Sequence, residues 1–178
     1  MESGKLTLDL APLELGARAA GVVETARVLP PGHTIRLDAG AVPLRVRGDA
    51  GRLEQVLFNL LTNAFAHAPN ETPVDVRLRR VGAEIALEVQ DYGRGIAADQ
   101  LPHLFARFYQ VARLDRPSQA GLGLGLFICQ ELATAHGGRI AVASTEGAGT
   151  TFSVWLPLLK EETDTGNPPH VDGAAAPT

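Results

Sequence analysis

The sequence predicts an α+β fold, a two-layer sandwich in which helices cover one face of a mixed, mainly antiparallel sheet of about five strands. Three observations carry this. Val74, Val76 and Leu78 alternate with Asp75, Arg77 and Arg79, and Ile85, Leu87 and Val89 repeat the alternation across the turn Val81-Gly82-Ala83. A second alternating pair, 140–144 and 150–156, reads as another hairpin. Hairpins are antiparallel and keep one wet face, which argues against an all-parallel sheet. Finally, 12–28, 48–66 and 124–135 carry apolar residues at helical spacing, so each needs a sheet to cover its stripe.

In chain order, 6–10 alternates and reads as a short edge strand. Pro12 suits a helix start, with Leu13, Ala17, Ala20 and Val23 as the apolar positions running toward Val28. Pro30, Pro31 and Gly32 end that run, and short strands are expected at 34–38 and 43–46. The strongest helix is 48–66, with Asp49 as N-cap and Pro69 beyond its end. The two strands of the first hairpin follow, with Asp75, Arg77 and Arg79 on its wet face. Residues 97–120 are polar and irregular, with short helical pieces. The helix at 124–135 stops at Gly137-Gly138, a left-handed C-terminal signal. From Lys160 the chain is too polar and too rich in Pro and Gly to fold. The expected boundaries are a linker end at 1–12, a folded domain at 13–158 and a disordered tail at 159–178.

Composition excludes several functions. The 178 residues include 20 acids and 16 bases, a net charge of −4, which is poor for wrapping nucleic acid. No apolar run reaches the roughly 18 residues of a spanning helix, and MESGKLTLDL lacks a secretory layout, so no membrane contact and a cytoplasmic location are expected. Cys129 is the only cysteine, which rules out a disulfide framework and a four-cysteine zinc site. Its placement reads as a packed small residue rather than a redox sensor.

Three features point to a ligand. On the helix 48–66, Leu53, Val56, Leu57, Leu60, Leu61 and Ala64 form the buried stripe. Asn59 and Asn63, one turn apart, fall together at its edge, in line with Arg52 and Gln55. Asparagine weakens a helix, and its carbonyl is a hard oxygen donor suited to Mg²⁺ that also holds phosphates. Asp91 is in phase with Ile85, Leu87 and Val89, so its carboxylate points inward, where an unpartnered charge costs several kcal/mol. The next residues, Tyr92-Gly93-Arg94-Gly95, free the backbone for a tight bend, and a planar ligand with an exocyclic amine, such as adenine, would satisfy the acid. Lastly, Gly121-Leu122-Gly123-Leu124-Gly125-Leu126 opens a helix and exposes amides where the dipole favours an anion. Each feature alone also has a structural reading: a solvated helix edge, an Asp bonded to a nearby amide, a tight turn.

Their order along the chain is what carries identity. The chain resembles the ATP-binding catalytic domain of sensor histidine kinases, in the superfamily that also holds type II topoisomerases, a heat-shock chaperone and mismatch-repair ATPases. The resemblance covers about residues 1–158. Asn59-Leu-Leu-Thr-Asn63-Ala64 is similar to the asparagine box, and Asp91-Tyr-Gly93-Arg-Gly95-Ile96 to the first glycine box. Leu104-Phe105-Ala-Arg107-Phe108-Tyr109 is similar to the phenylalanine box, and Gly121 to Leu126 to the second glycine box. Gly147-Ala-Gly149-Thr150-Thr151-Phe152 resembles the closing strand motif, and Glu2-Ser-Gly-Lys-Leu6 the exit from the dimerisation helices.

The resemblance implies a Bergerat-type ATP-binding fold with ATP and Mg²⁺ as cofactors. It implies Asn63 as metal ligand, Asn59 beside the triphosphate, and Asp91 on the adenine amine with Gly93, Gly95 and Ile96 alongside. Phe108 and Thr151 join the nucleotide contacts, as do Gly121, Leu122, Gly123, Leu124, Gly125 and Leu126. A lid at about 107–122 carries Arg107, Arg113 and Arg116 as candidates for the γ-phosphate. Members often carry Lys or Arg three residues after the second asparagine; here that residue is Ala66, followed by His67, whose imidazole is positioned in sequence to replace part of the contact. Weaker or lid-dependent ATP affinity is the expectation.

Hydrolysing relatives place a glutamate where this chain has Asn59, and an amide cannot act as a general base. The expectation is therefore phosphoryl transfer onto protein, by positioning and electrostatics. A histidine followed by an acid is absent: His33, His67, His103, His136 and His170 precede Thr, Ala, Leu, Gly and Val. The acceptor is expected on a separate dimerisation domain of the parent kinase, with a response regulator downstream, and anchoring of the parent protein in the inner membrane stays open. Two other classes stay open at this stage: an anti-sigma-factor-type serine kinase, and a nucleotide-sensing module without transfer.

Overall fold

The computed structural model describes residues 7–29, 34–69, 72–109 and 123–159. Among these, five strands form one sheet in the order β2-β4-β5-β7-β6: β2 (Ile35–Asp38), β4 (Val74–Val81), β5 (Glu84–Asp91), β6 (Arg139–Thr145) and β7 (Gly149–Pro157). Only β2 and β4 pair in parallel; the other neighbours are antiparallel. Helices α1 (Leu15–Ala26), α2 (Ala50–His67) and α3 (Gly125–Ala135) pack on the inner face, giving the expected two layers. A separate antiparallel pair joins β1 (Ala11–Glu14) to β3 (Arg45–Gly48).

The core follows from the sequence period. Leu53, Val56, Leu57, Leu60, Leu61 and Ala64 of α2 are all buried, and they meet the inward residues Ile85, Leu87 and Val89 of β5 and Phe152, Val154 and Leu156 of β7. Each such side chain contributes about 1.5–3 kcal/mol. Asp49 caps α2 by accepting the Arg52 amide. At the far end of α3, Gly137 takes φ +73°, and Gly138 donates to Ala133. His136 ties the two helices: its Nε2 accepts the Asp49 N–H at 3.0 Å while Nδ1 lies 2.7 Å from the Leu132 carbonyl. These two partners fix the Nδ1–H tautomer.

Four expectations are corrected. No strand lies at Thr7–Leu10; the strand is Ala11–Glu14, held by its register with β3, which sets Leu13 opposite Val46, both buried. The expected linker boundary at residue 12 therefore falls inside β1. Helix α1 starts at Leu15 rather than Pro12, because Glu14 caps it with both carboxylate oxygens, accepting from Gly16 at 2.9 Å and Ala17 at 2.5 Å. That start rotates the stripe: Leu15, Ala19, Val22, Val23 and Ala26 are buried, while Ala17 is exposed. The strand expected at 43–46 begins two residues later. Asp75, expected on the wet face, is buried at 6% exposure, because Arg77 and Tyr92 close over it on the sheet's open side.

Elsewhere on that open face charged side chains find partners. Arg79 reaches Glu88, and Arg139 lies 4.7 Å over the Trp155 ring while bonding Glu84. At the C-terminal side, Leu159 still donates to Arg45, one residue into the expected tail; residues 160–178 lie outside the described residues, as do 1–6.

Candidate functional site: a buried acid under a glycine turn

Asp91 ends β5 facing inward and is 3% exposed. Its Oδ1 accepts the Gly93 amide at 2.9 Å. Burial pushes its carboxyl above the ordinary range, and the Gly93 and Thr150 amides pull only partly back. Among the described residues no ion pair reaches it. An acid so placed is incomplete, since backbone donors alone do not offset its desolvation.

The glycines around it are there to let backbones touch. A Cβ on Gly93 would lie 2.4 Å from the His67 carbonyl oxygen and 3.0 Å from Asp91 Oδ1, so the end of α2 is pressed against the turn after β5. Gly95 has φ +69°, and its Cβ would meet the Thr145 carbonyl at 2.0 Å. Gly149, at φ +101°, brings the start of β7 against Asp91 in the same way. Ile96 donates its amide to Ser144 Oγ at 2.9 Å, fastening the turn to β6.

Asn59 and Asn63 are half-buried on α2, the helix whose C-terminal His67 meets Gly93. Burial pushes the Cys129 thiol up to about 12, offset in part by the side chain of Asn59, which stands on the side of α2 toward α3. Cys129 is fully buried and also donates to the Val56 carbonyl, so it packs the α2–α3 seam. No group of three or more His, Cys, Asp or Glu side chains suited to a metal occurs among the described residues.

The phenylalanine-box segment follows a 3₁₀ turn at Leu101–His103. Phe105 packs edge-on to Phe152, while Phe108 is 69% exposed with φ +62°, a rare conformation for a bulky residue. Phe108 donates to the Gly123 carbonyl at 3.1 Å, and a Cβ on Gly123 (φ +67°) would meet the Phe108 carbonyl carbon at 2.9 Å. Two boxes distant in sequence are thus joined at Phe108 and Gly123. Arg107 holds its guanidinium 4.5 Å over the Phe127 ring of α3. Leu124 caps α3, Gly125 has open space where a Cβ would stand, and Leu126 packs on the core. Arg113, Arg116, Gly121 and Leu122 lie outside the described residues.

One expected contact falls on the wrong side. Thr151 pairs with Gln90 and Ala143 on the open face, away from Asp91. Thr150 is the threonine that shares the inner face, opposite Asp91 in register and 5% exposed. The signal was present in the sequence: Thr150 is in phase with inward Phe152, Val154 and Leu156. Ser144, opposite Thr150 on the other side, was also missed.

Residues 48–160 match the family described as Histidine kinase-, DNA gyrase B-, and HSP90-like ATPase. The probable sensor histidine kinase TcrY of Mycobacterium tuberculosis strain H37Rv is 40% identical over 161 residues, 89% of this chain and 33% of TcrY. The mycobacterial sensor histidine kinase MprB superposes with a TM-score of 0.73 at 26% identity, over 84% of this chain and 97% of that one. Full-length ShkA in complex with AMPPNP gives 0.74 at 28% identity, over 86% of this chain and 32% of ShkA. The chain thus spans about a third of the curated relative TcrY. With that match covering most of the folded residues, the chain belongs to the family of histidine kinase-, DNA gyrase B- and HSP90-like ATPases.

Proposed function

We propose that this chain is the ATP-binding catalytic domain of a sensor histidine kinase, which binds Mg-ATP and passes the γ-phosphoryl group to a histidine on a separate dimerisation domain. The observation that carries the proposal is the inward Asp91, whose burial is balanced by no cation among the described residues. A carboxylate held this way selects a donor such as an exocyclic amine. Gly93, Gly95 and Gly149 support it, since each leaves backbone where a Cβ would intrude. ShkA, a structural relative, is described with AMPPNP bound.

The remaining roles follow from placement. Asn63 supplies a hard oxygen for Mg²⁺; with no carboxylate cluster among the described residues, phosphate and water complete such a shell. When bound, the ion neutralises developing phosphate charge. Asn59 ties α2 to α3 below the second glycine box. His67, Ile96, Phe108 and the stretch from Gly121 to Leu126 contact the nucleotide, Thr150 rather than Thr151 stands by the base, and Arg107, Arg113 and Arg116 serve the γ-phosphate. Arg107 would have to leave the Phe127 ring to do so. No general base for water is needed if the nucleophile is a protein side chain.

Mixing the chain with a matching dimerisation–phosphoacceptor domain and γ-labelled ATP tests the proposal. Acid-labile label on the added domain, and none on the chain alone, is expected. Acid-stable label on a serine would make the chain a serine kinase instead, and ATP binding without any transfer would leave only a nucleotide sensor.

A further inference from the structure

We propose that Ser144 fixes the hydrogen-bond polarity of Thr150, and so sets the preference of the Asp91 site for a purine with a 6-amino group over one with a 6-oxo group. This rests on the nucleotide reading above.

Ser144 lies half-buried on β6 with three polar neighbours. Its Oγ is 2.9 Å from the Ile96 amide nitrogen, 2.8 Å from the Gly149 carbonyl oxygen and 2.9 Å from Thr150 Oγ1. A serine hydroxyl has one hydrogen and two lone pairs. The Gly149 carbonyl has no hydrogen to give, so the serine hydrogen must go there. The Ile96 N–H occupies one lone pair. The contact with Thr150 is then made by the threonine hydrogen, donated into the second lone pair. All three positions on Ser144 are filled, and each assignment is forced by the one before.

Thr150 thereby loses its only side-chain hydrogen to β6. Asp91 is the register partner of Thr150 on the other side, and whatever lone pair the threonine oxygen offers a ligand there can only accept. Ionised Asp91 is an acceptor as well. Two acceptors on register-paired residues favour a ligand donor and oppose a carbonyl oxygen, which would meet lone pairs with no hydrogen between. Ser144 is a positioning residue here: it touches the turn at Ile96 and the threonine, and acts on the ligand through them.

Calorimetric titration of the 178-residue chain with Mg-ATP and Mg-ITP tests this, because ITP carries an oxo group in place of the 6-amino group, with a hydrogen on N1. The wild-type chain should prefer ATP. In Ser144→Ala the threonine hydrogen is released, and the ratio of the ITP to the ATP dissociation constant should fall by about fivefold, the worth of one neutral hydrogen bond. Ser144→Thr keeps a hydroxyl and should keep the ratio. Where the alanine variant fails to fold, Ser144→Cys, a weak donor of similar shape, should lower the ratio in its place. A parallel weakening of both nucleotides with the ratio unchanged overturns the proposal and leaves Ser144 a fold contact only. Wild-type chain that binds neither nucleotide is a different failure, that of the ATP reading itself.

Discussion

Asp75 and Asp91 stand on neighbouring strands, almost side by side: the register partner of Asp75 is Gln90, the residue before Asp91. Both are nearly hidden, at 6% and 3% exposure, but they face opposite sides of the sheet. Asp75 has a guanidinium and a phenol on one oxygen, Arg77 at 2.6 Å and Tyr92 at 2.8 Å, and Arg77 is itself held by Gln90. Its other oxygen has no hydrogen-bond partner. Asp91 has backbone amides and no ion pair among the described residues. One buried acid is neutralised from within the fold; the other is held by the fold and left for something else to neutralise. Burial alone does not mark a binding acid; burial without a counter-charge does.

The largest expected effect is at the turn after β5. Gly93→Ala sets a methyl 2.4 Å from the His67 carbonyl and against Asp91, so it should cost about 3 kcal/mol or more by chemical denaturation and weaken nucleotide binding with it. On the other face, Arg77→Ala strips Asp75 of its cation. A partner lost from a fully buried pair costs about 3–5 kcal/mol. Arg77 is 28% exposed, so water recovers part of that, and about 2 kcal/mol is expected, with ATP affinity nearly unchanged. A loss of affinity as large as that of Gly93→Ala would show that the two acids are not independent.

Titration sharpens the contrast. Burial raises the folded-state pKa of Asp91, so as pH rises through the ordinary carboxylate range the unfolded chain ionises first and binds fewer protons. The contribution of Asp91 to stability therefore declines with rising pH until the folded acid ionises, and is level above that. Glu14 is held low because three backbone amides outweigh its burial, Asp49 because the Asp9 and Arg52 amides bond it, and Glu84 because Arg139 does, so these give the opposite slope. The readout is thus the difference between wild type and Asp91→Asn in the absence of nucleotide: the variant should gain stability relative to wild type as pH rises from about 4. The smallest effect expected is at Ala66, an exposed position near the end of α2, where Ala66→Lys should tighten Mg-ATP by about threefold, as one charge near phosphate in water allows. Unchanged affinity would leave that departure from the family pattern without consequence.

What the sequence made legible was whatever depends on period. The α2 stripe and the inward turn of Asp91 both follow from which side of an element is covered, and burial enforces that strongly. What it hid depends on contacts between distant segments. Glu14 is no standard cap, and it displaces the start of α1 only because its two oxygens meet Gly16 and Ala17, with the Leu44 amide brought in from just before β3. Asp75 looked solvated because nothing in its alternation announces that Tyr92 folds over it. The resemblance points to Thr151 although the phase of β7 favours Thr150, and Ser144 becomes visible only when three strands and a turn are set side by side.

The most direct test titrates Mg-ATP into wild-type chain, Asp91→Asn and Asp75→Asn by calorimetry, side by side. With the Gly93 amide holding the remaining carbonyl oxygen, Asp91→Asn turns an NH2 group toward the proposed amine, and should lower affinity about a hundredfold or more while the chain stays folded. Asp75→Asn should melt earlier yet bind within about threefold of wild type. Equal losses in the two variants, or undiminished binding by Asp91→Asn, would contradict the account.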